Sequence, residues 1–237
     1  MKRLLYAHRG ACAELPENTL EAFALALELG ADAIETDVHL TRDGHVVVFH
    51  DDTGARVAAM SARVRDCTLA ELRTWDLGKV RGLPVHHIPT FDEALARFPD
   101  TFFNVDAKVP AVIDPLLAVI ERHRAAHRVR LASFSARNLR KIRRLGYRGE
   151  TGLGDDEVVR FLVQPRVLPL PGDALQIPTA FGPLRLDNRR TIDRVHAFGK
   201  RVDFWVIDDA AEAQRLFDLG ADGVMTNDPR ALREVRR

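Results

Sequence analysis

Alternating apolar and polar positions divide the chain into short strands separated by helical stretches. From Leu4 to His8 the pattern is a strand with Leu4, Tyr6 and His8 on one face. Leu20, Phe23, Ala24 and Leu27 then recur at helical spacing and Gly30 closes the stripe; Asn18, with Glu21 three positions on, is the expected helix cap. A second strand begins at Ala33, with Ile34, Thr36 and Val38 on one face and Ala33, Glu35 and Asp37 on the other. Thr41-Arg42-Asp43-Gly44 is a tight turn, too short for a parallel crossover. The apolar run over 46–50 must therefore return antiparallel, which brings His50 near Glu35 and Asp37.

Residues 52–90 have weak periodicity and many turn residues, and read as an excursion in which Thr68 opens a short helix. Thr90 caps a helix over 91–97, with Glu93 at the third position. The next strand, over 102–108, places Phe103, Val105 and Ala107 on one face and Asn104, Asp106 and Lys108 on the other. Helices follow over 113–126, 138–145, 155–161, 189–198 and 210–219, and strands over 129–134, 150–153, 174–177, 202–207 and 223–226. Pro165, Pro169 and Pro171 interrupt the chain, and Asp228-Pro229 is expected to open a last helix. Eight strands precede crossovers, which predicts an α/β chain forming a (β/α)8 TIM barrel. The antiparallel strand over 46–50 and an insertion over 51–90 then lie above its C-terminal face, all within one domain over 1–237. An internal echo supports the barrel: residues 29–37 match 219–227 in five of nine positions, with Met225 and Asn227 where Glu35 and Asp37 stand. The carboxylates are therefore not demands of that helix-to-strand junction.

Composition narrows the classes. At 237 residues the chain has about the length of a β/α barrel. A hydrophobic content of 46% supplies a core, and a formal net charge of +1 argues against a nucleic-acid or anionic-membrane surface. Cys12 and Cys67 form neither a disulfide framework nor a cysteine zinc site. With no leader-like segment and no apolar run of about 20 residues, the expected location is cytoplasmic, without stable membrane insertion. Oligomeric state is not legible.

Barrel sites lie at the C-terminal strand ends. Those ends carry His8, Arg9, Glu35, Asp37, Asp106, Lys108 and Trp205, with His50 added by the hairpin. Three converging carboxylates make a hard oxygen site for Mg2+ or Ca2+. Arg9 and Lys108 suit a phosphoryl oxyanion, and two histidines suit general acid and base catalysis. Metal-assisted cleavage of a phosphate ester follows. His86-His87 reads instead as a solvated loop pair. His123 and His127, four apart among Arg124, Arg128 and Arg130, read as a solvated helix face.

The ordered segments His8-Arg9-Gly10, Pro16-Glu17-Asn18-Thr19, Glu35-Thr36-Asp37, Thr41-Arg42-Asp43-Gly44, Phe49-His50-Asp51, Asn104-Val105-Asp106-Ala107-Lys108, Ser133-Phe134, Trp205 and Asp222-Gly223 with Thr226 span nearly the whole chain. Together they resemble the glycerophosphodiester phosphodiesterase family of the phospholipase-C-like barrel superfamily. The resemblance implies His8 and His50 as the acid/base pair and Glu35, Asp37 and Asp106 as ligands of one divalent cation, Mg2+ or Ca2+. Arg9 and Lys108 would hold the phosphate, and Trp205 and Phe134 would line the substrate pocket. It implies cleavage of small-molecule glycerophosphodiesters to sn-glycerol 3-phosphate and an alcohol. The alternatives are a lysophospholipase-D-type activity on lysophospholipids and a non-catalytic barrel that binds phosphate ligands. The family more often has Glu where Asp106 stands, and usually Thr-Asp where this chain has Thr226-Asn227-Asp228. The glycines usual after His50 are replaced over 58–62, which leaves the alcohol group open.

Overall fold

The computed structural model describes residues 2–164 and 170–235. The chain runs through β1 (Leu4–His8), β2 (Ala33–Leu40) and β3 (Val46–Val48), then β4 (Phe102–Ala107), β5 (Val129–Ala132), β6 (Glu150–Thr151) and β7 (Ala174–Ile177). A ribbon of β8 (Ala180–Phe181) and β9 (Leu184–Arg185) precedes β10 (Arg201–Phe204) and β11 (Gly223–Thr226). The helices are α1 (Leu20–Glu28), α2 (Ala55–Ala58), α3 (Leu69–Leu72), α4 (Phe91–Arg97), α5 (Ile113–Arg122), α6 (Ala136–Arg144), α7 (Asp155–Val163), α8 (Arg189–His196) and α9 (Ala210–Leu219). Neighbouring strands follow the order β6-β5-β4-β2-β1-β11-β10-β7, parallel throughout. A parallel bridge from Gly152 to Ala174 joins the two ends, giving the expected (β/α)8 barrel.

The period-2 pattern sorts side chains as expected. Ile34, Val38, Phe103 and Val105 face outward into the layer between strands and helices, packed with Phe23, Phe91 and Leu116. Leu175, Val202, Phe204 and Val224 do the same for the second half of the barrel, against Phe161, Ile192 and Phe217. Tyr6, Ala33 and Met225 form a smaller group with Trp205 packed against it. Polar side chains of the inward faces meet across the barrel, as where Gln176 Nε2 donates to Asn104 Oδ1 at 3.0 Å.

The hairpin forms as the turn residues require. Gly44 takes φ +85°, and Leu40 pairs with Val46 and Val38 with Val48, antiparallel. The strand stops at Val48 rather than running to residue 50, although Phe49 N–H still donates to the Asp37 carbonyl at 2.9 Å. The excursion is better built than its weak periodicity implied. Phe49, Val64, Leu72, Trp75 and Ile88 form a core of their own on Val47, and Phe49 meets Trp75 edge to face with ring centroids 5.9 Å apart. Capping boxes at Thr68/Glu71 and Thr90/Glu93 open α3 and α4.

Several local expectations change. Thr19, not Asn18, caps α1, its hydroxyl accepting from Ala22 N–H; Asn18 is turned into the protein by a left-handed φ of +59°. The helix expected over 113–126 ends at Arg122, with Arg124 at φ +51°, so His123 and His127 share no helical face. His123 bonds Asp92 Oδ1 at 3.0 Å instead. The β8–β9 ribbon was not foreseen, and the strand expected over 202–207 ends at Phe204. No helix forms after Asp228-Pro229 among the described residues. The segment is held by three-residue turns such as Val235 N–H to the Leu232 carbonyl, too few successive bonds to nucleate a helix. Pro165 and Pro169 lie outside the described residues. No helix among the described residues is long and apolar enough to cross a membrane.

Candidate active site

The barrel places His8 at the end of β1 between two neighbours. On the β2 side its register partner is Glu35, whose Oε2 lies 3.8 Å from His8 Nε2. On the β11 side Asn227 Oδ1 lies 2.7 Å from His8 Nδ1. A side-chain amide oxygen only accepts, so Nδ1 carries the proton and Nε2 is the free base toward Glu35. Asn227 is itself held: its N–H and Nδ2 donate to Asp208 at 2.7 and 2.9 Å. Burial, and next the Arg9 charge, hold the His8 imidazole below its usual value.

The chain leaves His8 through Arg9 at φ +60° and Gly10 at φ +84°. A Cβ on Gly10 would stand 2.7 Å from the Ala22 backbone, so only glycine lets α1 approach this turn. The turn directs Arg9 into the barrel mouth. Arg9 Nη1 donates to Glu17 Oε1 at 2.9 Å, and Nε forms an ion pair with Asp37 Oδ2 at 3.2 Å without pointing its hydrogen at that oxygen.

Glu35 and Asp37 share one face of β2 and Asp106 stands opposite Asp37 in the β2–β4 register. All three are buried. Lys108 Nζ lies between two of them, 2.8 Å from Asp37 Oδ1 and 2.7 Å from Asp106 Oδ2. Asn18 Nδ2 donates to Asp37 Oδ2 at 3.0 Å while its Oδ1 accepts from Thr36, which fixes the amide. Burial alone would raise Asp37, but Lys108 and then Arg9 outweigh it and hold the carboxyl below its usual value. Burial pushes Asp106 up despite Lys108. Burial, and next the Asp37 charge, push Glu35 well above the usual carboxylate range. Glu35 Oε2 is buried and has no hydrogen-bond partner.

An unpaired buried carboxylate oxygen is costly, and oxygen donors from Glu35, Asp37 and Asp106 suit Mg2+ or Ca2+. The described residues contain no group of three or more His, Cys, Asp or Glu arranged to hold a metal as they stand, and Lys108 occupies the space between Asp37 and Asp106. The three carboxylates are oxygen donors of the kind a hard cation takes, and as they stand Lys108 compensates two of them.

His50 enters from the hairpin. Its Nδ1 lies 2.5 Å from Asp51 Oδ1, and its carbonyl lies 3.0 Å from His39 Nε2. It directly follows Phe49, whose N–H bonds the Asp37 carbonyl, so the hairpin carries it to the part of β2 where Asp37 stands opposite Asp106. On the opposite rim Phe134 is 69% exposed, meets Trp205 edge to face at 6.1 Å, and lies under Lys108 Nζ at 5.9 Å. The fold thus gathers the nine residues singled out from the sequence at one mouth. It adds Asn18, Asn227, Asp51 and His39, which sequence reasoning gave no site role. Asn227 had a signal, since the internal echo sets it at the position of Asp37.

Residues 8–231 match the Glycerophosphoryl diester phosphodiesterase family. A glycerophosphodiester phosphodiesterase of Caldanaerobacter subterraneus is 32% identical over 98% of this chain and 97% of its own. The glycerophosphodiester phosphodiesterase of Thermotoga maritima superposes with a TM-score of 0.78 at 25% identity, covering 100% of this chain and 99% of that one. An Oleispira antarctica phosphodiesterase, solved with the product sn-glycerol-3-phosphate, superposes at 0.83 with 24% identity, over 99% and 96% of the two chains. Fold, motif order and these matches agree that the chain belongs to the glycerophosphoryl diester phosphodiesterase family, an enzyme of the glycerophosphodiester phosphodiesterase class.

Proposed function

We propose that the chain hydrolyses small glycerophosphodiesters to sn-glycerol 3-phosphate and an alcohol, using His8 and His50 as base and acid. The observation that carries this reading is the pair of histidines, each oriented through Nδ1, facing one cluster of carboxylates and cations. His8, kept neutral by burial and Arg9, takes a proton at Nε2 from the attacking oxygen. His50, backed by Asp51, gives a proton to the departing alcohol oxygen. Arg9 and Lys108 hold the phosphoryl oxygens, and Trp205 with Phe134 borders the pocket. Glu35, Asp37 and Asp106 would hold a divalent cation, which when bound supplies positive charge to the phosphoryl oxygens. The product bound to the Oleispira relative supports the glycerol phosphate half of the substrate.

A lysophospholipid is the second reading, favoured by Phe134, Phe181 and Leu184, which are exposed on segments following β5 and β7 at the same end of the barrel. A panel of glycerophosphocholine, glycerophosphoethanolamine, glycerophosphoglycerol and lysophosphatidylcholine, each with Mg2+ or Ca2+, tests both. Turnover of the water-soluble diesters, lost with chelator and restored by metal, is expected. Turnover indifferent to chelator removes the metal, and turnover of the lysolipid alone favours the second reading. His50→Ala is expected to keep its melting temperature and lose about 10²–10⁴-fold in kcat; a wild-type rate removes the acid/base assignment.

A further inference from the structure

Arg56 lies outside the mouth, on the short helix α2, with its side chain 48% exposed. Its Nε donates to Asp51 Oδ2 at 2.7 Å, and Nη1 and Nη2 donate to Glu17 Oε2 and Oε1 at 2.6 and 2.7 Å. Each of these carboxylates has its other side-chain partner in the site. Asp51 Oδ1 accepts from His50 Nδ1 at 2.5 Å, and Glu17 Oε1 accepts from Arg9 Nη1 at 2.9 Å. One planar guanidinium therefore closes a chain from His50 through Asp51, Arg56 and Glu17 to Arg9. It ties the loop after β3 to the loop after β1, two segments separated in sequence by α1, β2 and β3.

Arg56 touches no reacting group, so its effect must pass through its two partners. As an acceptor Asp51 fixes the Nδ1–H tautomer of His50, and the bond from Arg56 to its second oxygen restrains the carboxylate and with it the orientation of the ring. Glu17, held at its second oxygen by the same guanidinium, restrains Arg9 in the same way. Both remaining oxygens are held by the same fork. From this geometry we infer that Arg56 is a positioning residue that sets the separation and orientation of His50 and Arg9 across the mouth. The inference rests on the reading that these two residues act on the phosphodiester. A guanidinium matches two carboxylates at once because its N–H bonds lie in one plane, which a lysine ammonium does not reproduce. Glu17 and Arg56 also line a cavity of about 230 Å3 bordered by Pro16, Val57, Leu77 and Arg81. The Arg56 side chain is itself half exposed, so a small solute can reach the fork from solvent.

The experiment compares wild type, Arg56→Ala, Arg56→Lys, Asp51→Asn and Arg56→Ala/Asp51→Asn on glycerophosphocholine with saturating Mg2+ or Ca2+. Loss of an outer partner of this kind costs about 10–100-fold in activity. Arg56→Ala is expected to lose that much in kcat/KM, with a clear share of it in kcat, and to keep its melting temperature. Guanidinium ion at millimolar concentration should restore much of the loss. Adding Arg56→Ala to Asp51→Asn should cost clearly less than the product of the two single losses, because the two changes share the His50 arm while the Glu17–Arg9 arm is lost only with Arg56. A wild-type kcat in Arg56→Ala, a loss confined to KM, or fully multiplicative losses with Asp51→Asn would overturn the inference. If Arg56→Ala does not fold, Arg56→Lys keeps the charge and the stem, and a wild-type kcat in it overturns the inference equally. Wild type inactive on the whole substrate panel is instead a failure of the proposed function. In that case ¹⁵N spectra of the His50 ring decide: loss of its single Nδ1–H tautomer in Arg56→Ala supports positioning, and unchanged shifts refute it.

Discussion

His8 is held between a carboxylate it does not bond and an amide that fixes its tautomer. Had an aspartate stood at Asn227, its charge would favour the imidazolium. With asparagine there, burial and Arg9 prevail and the ring stays neutral below its usual pKa. Below the ordinary histidine value the unfolded chain binds a proton that folded His8 refuses, so this contribution is present above that value and drains away as the pH falls. For activity, the acid limb of kcat/KM in the free enzyme should lie below the ordinary histidine range. Asn227→Asp should move that limb upward by roughly one unit. An unmoved limb in the pH–rate profile would separate Asn227 from the base. Lys108 shows why partner choice escaped sequence reasoning. Alternation put it on the face of Asp106, but only the closed mouth shows its ammonium between Asp106 and Asp37.

At the scale of elements, the turn after β1 does two jobs in two residues. Arg9 at φ +60° aims a cation at Asp37, and Gly10 lets α1 pack directly behind it. Gly10→Ala brings a Cβ to within 2.8 Å of Ala22 atoms at a positive φ. It is expected to cost about 2 kcal/mol or more, read as a lower urea midpoint at unchanged slope. The same variant should lower kcat, because relieving the clash moves Arg9. The hairpin and excursion were legible as a return and an insertion, because turn residues and strand alternation are local signals. The excursion's core was not. Phe49, Val64, Trp75 and Ile88 are too irregularly spaced to announce that they meet. Capping boxes at Thr68 and Thr90 were readable from four residues each.

Across the whole molecule, a layer of charge fills the barrel beneath the site. Arg130, 1% exposed, donates to the Tyr6 hydroxyl at 2.8 Å, to Asp203 at 3.0 Å and to Glu150. Arg201 also pairs with Asp203 at 3.3 Å. Removing one partner leaves buried charge uncompensated. Asp203→Ala is therefore expected to cost about 3–5 kcal/mol in chemical denaturation, and a loss below about 1 kcal/mol would show that the layer is slack.

The division between what is local and what is not runs through the whole molecule. The order of the eight barrel strands and of the helices between them, the antiparallel return and the face on which each site carboxylate lies were determined by the sequence itself, whereas the β8–β9 ribbon and the missing helix after Asp228 were not. Periodicity, turn residues and the alternation of side chains are properties of neighbours along the chain. Barrel closure alone decided which amide holds His8, that Asn18 serves Asp37 rather than α1, and that Arg56 spans two loops. Each is a contact between distant segments, formed because eight twisted strands meet in a ring, and no periodicity along the chain encodes which side chains meet across it.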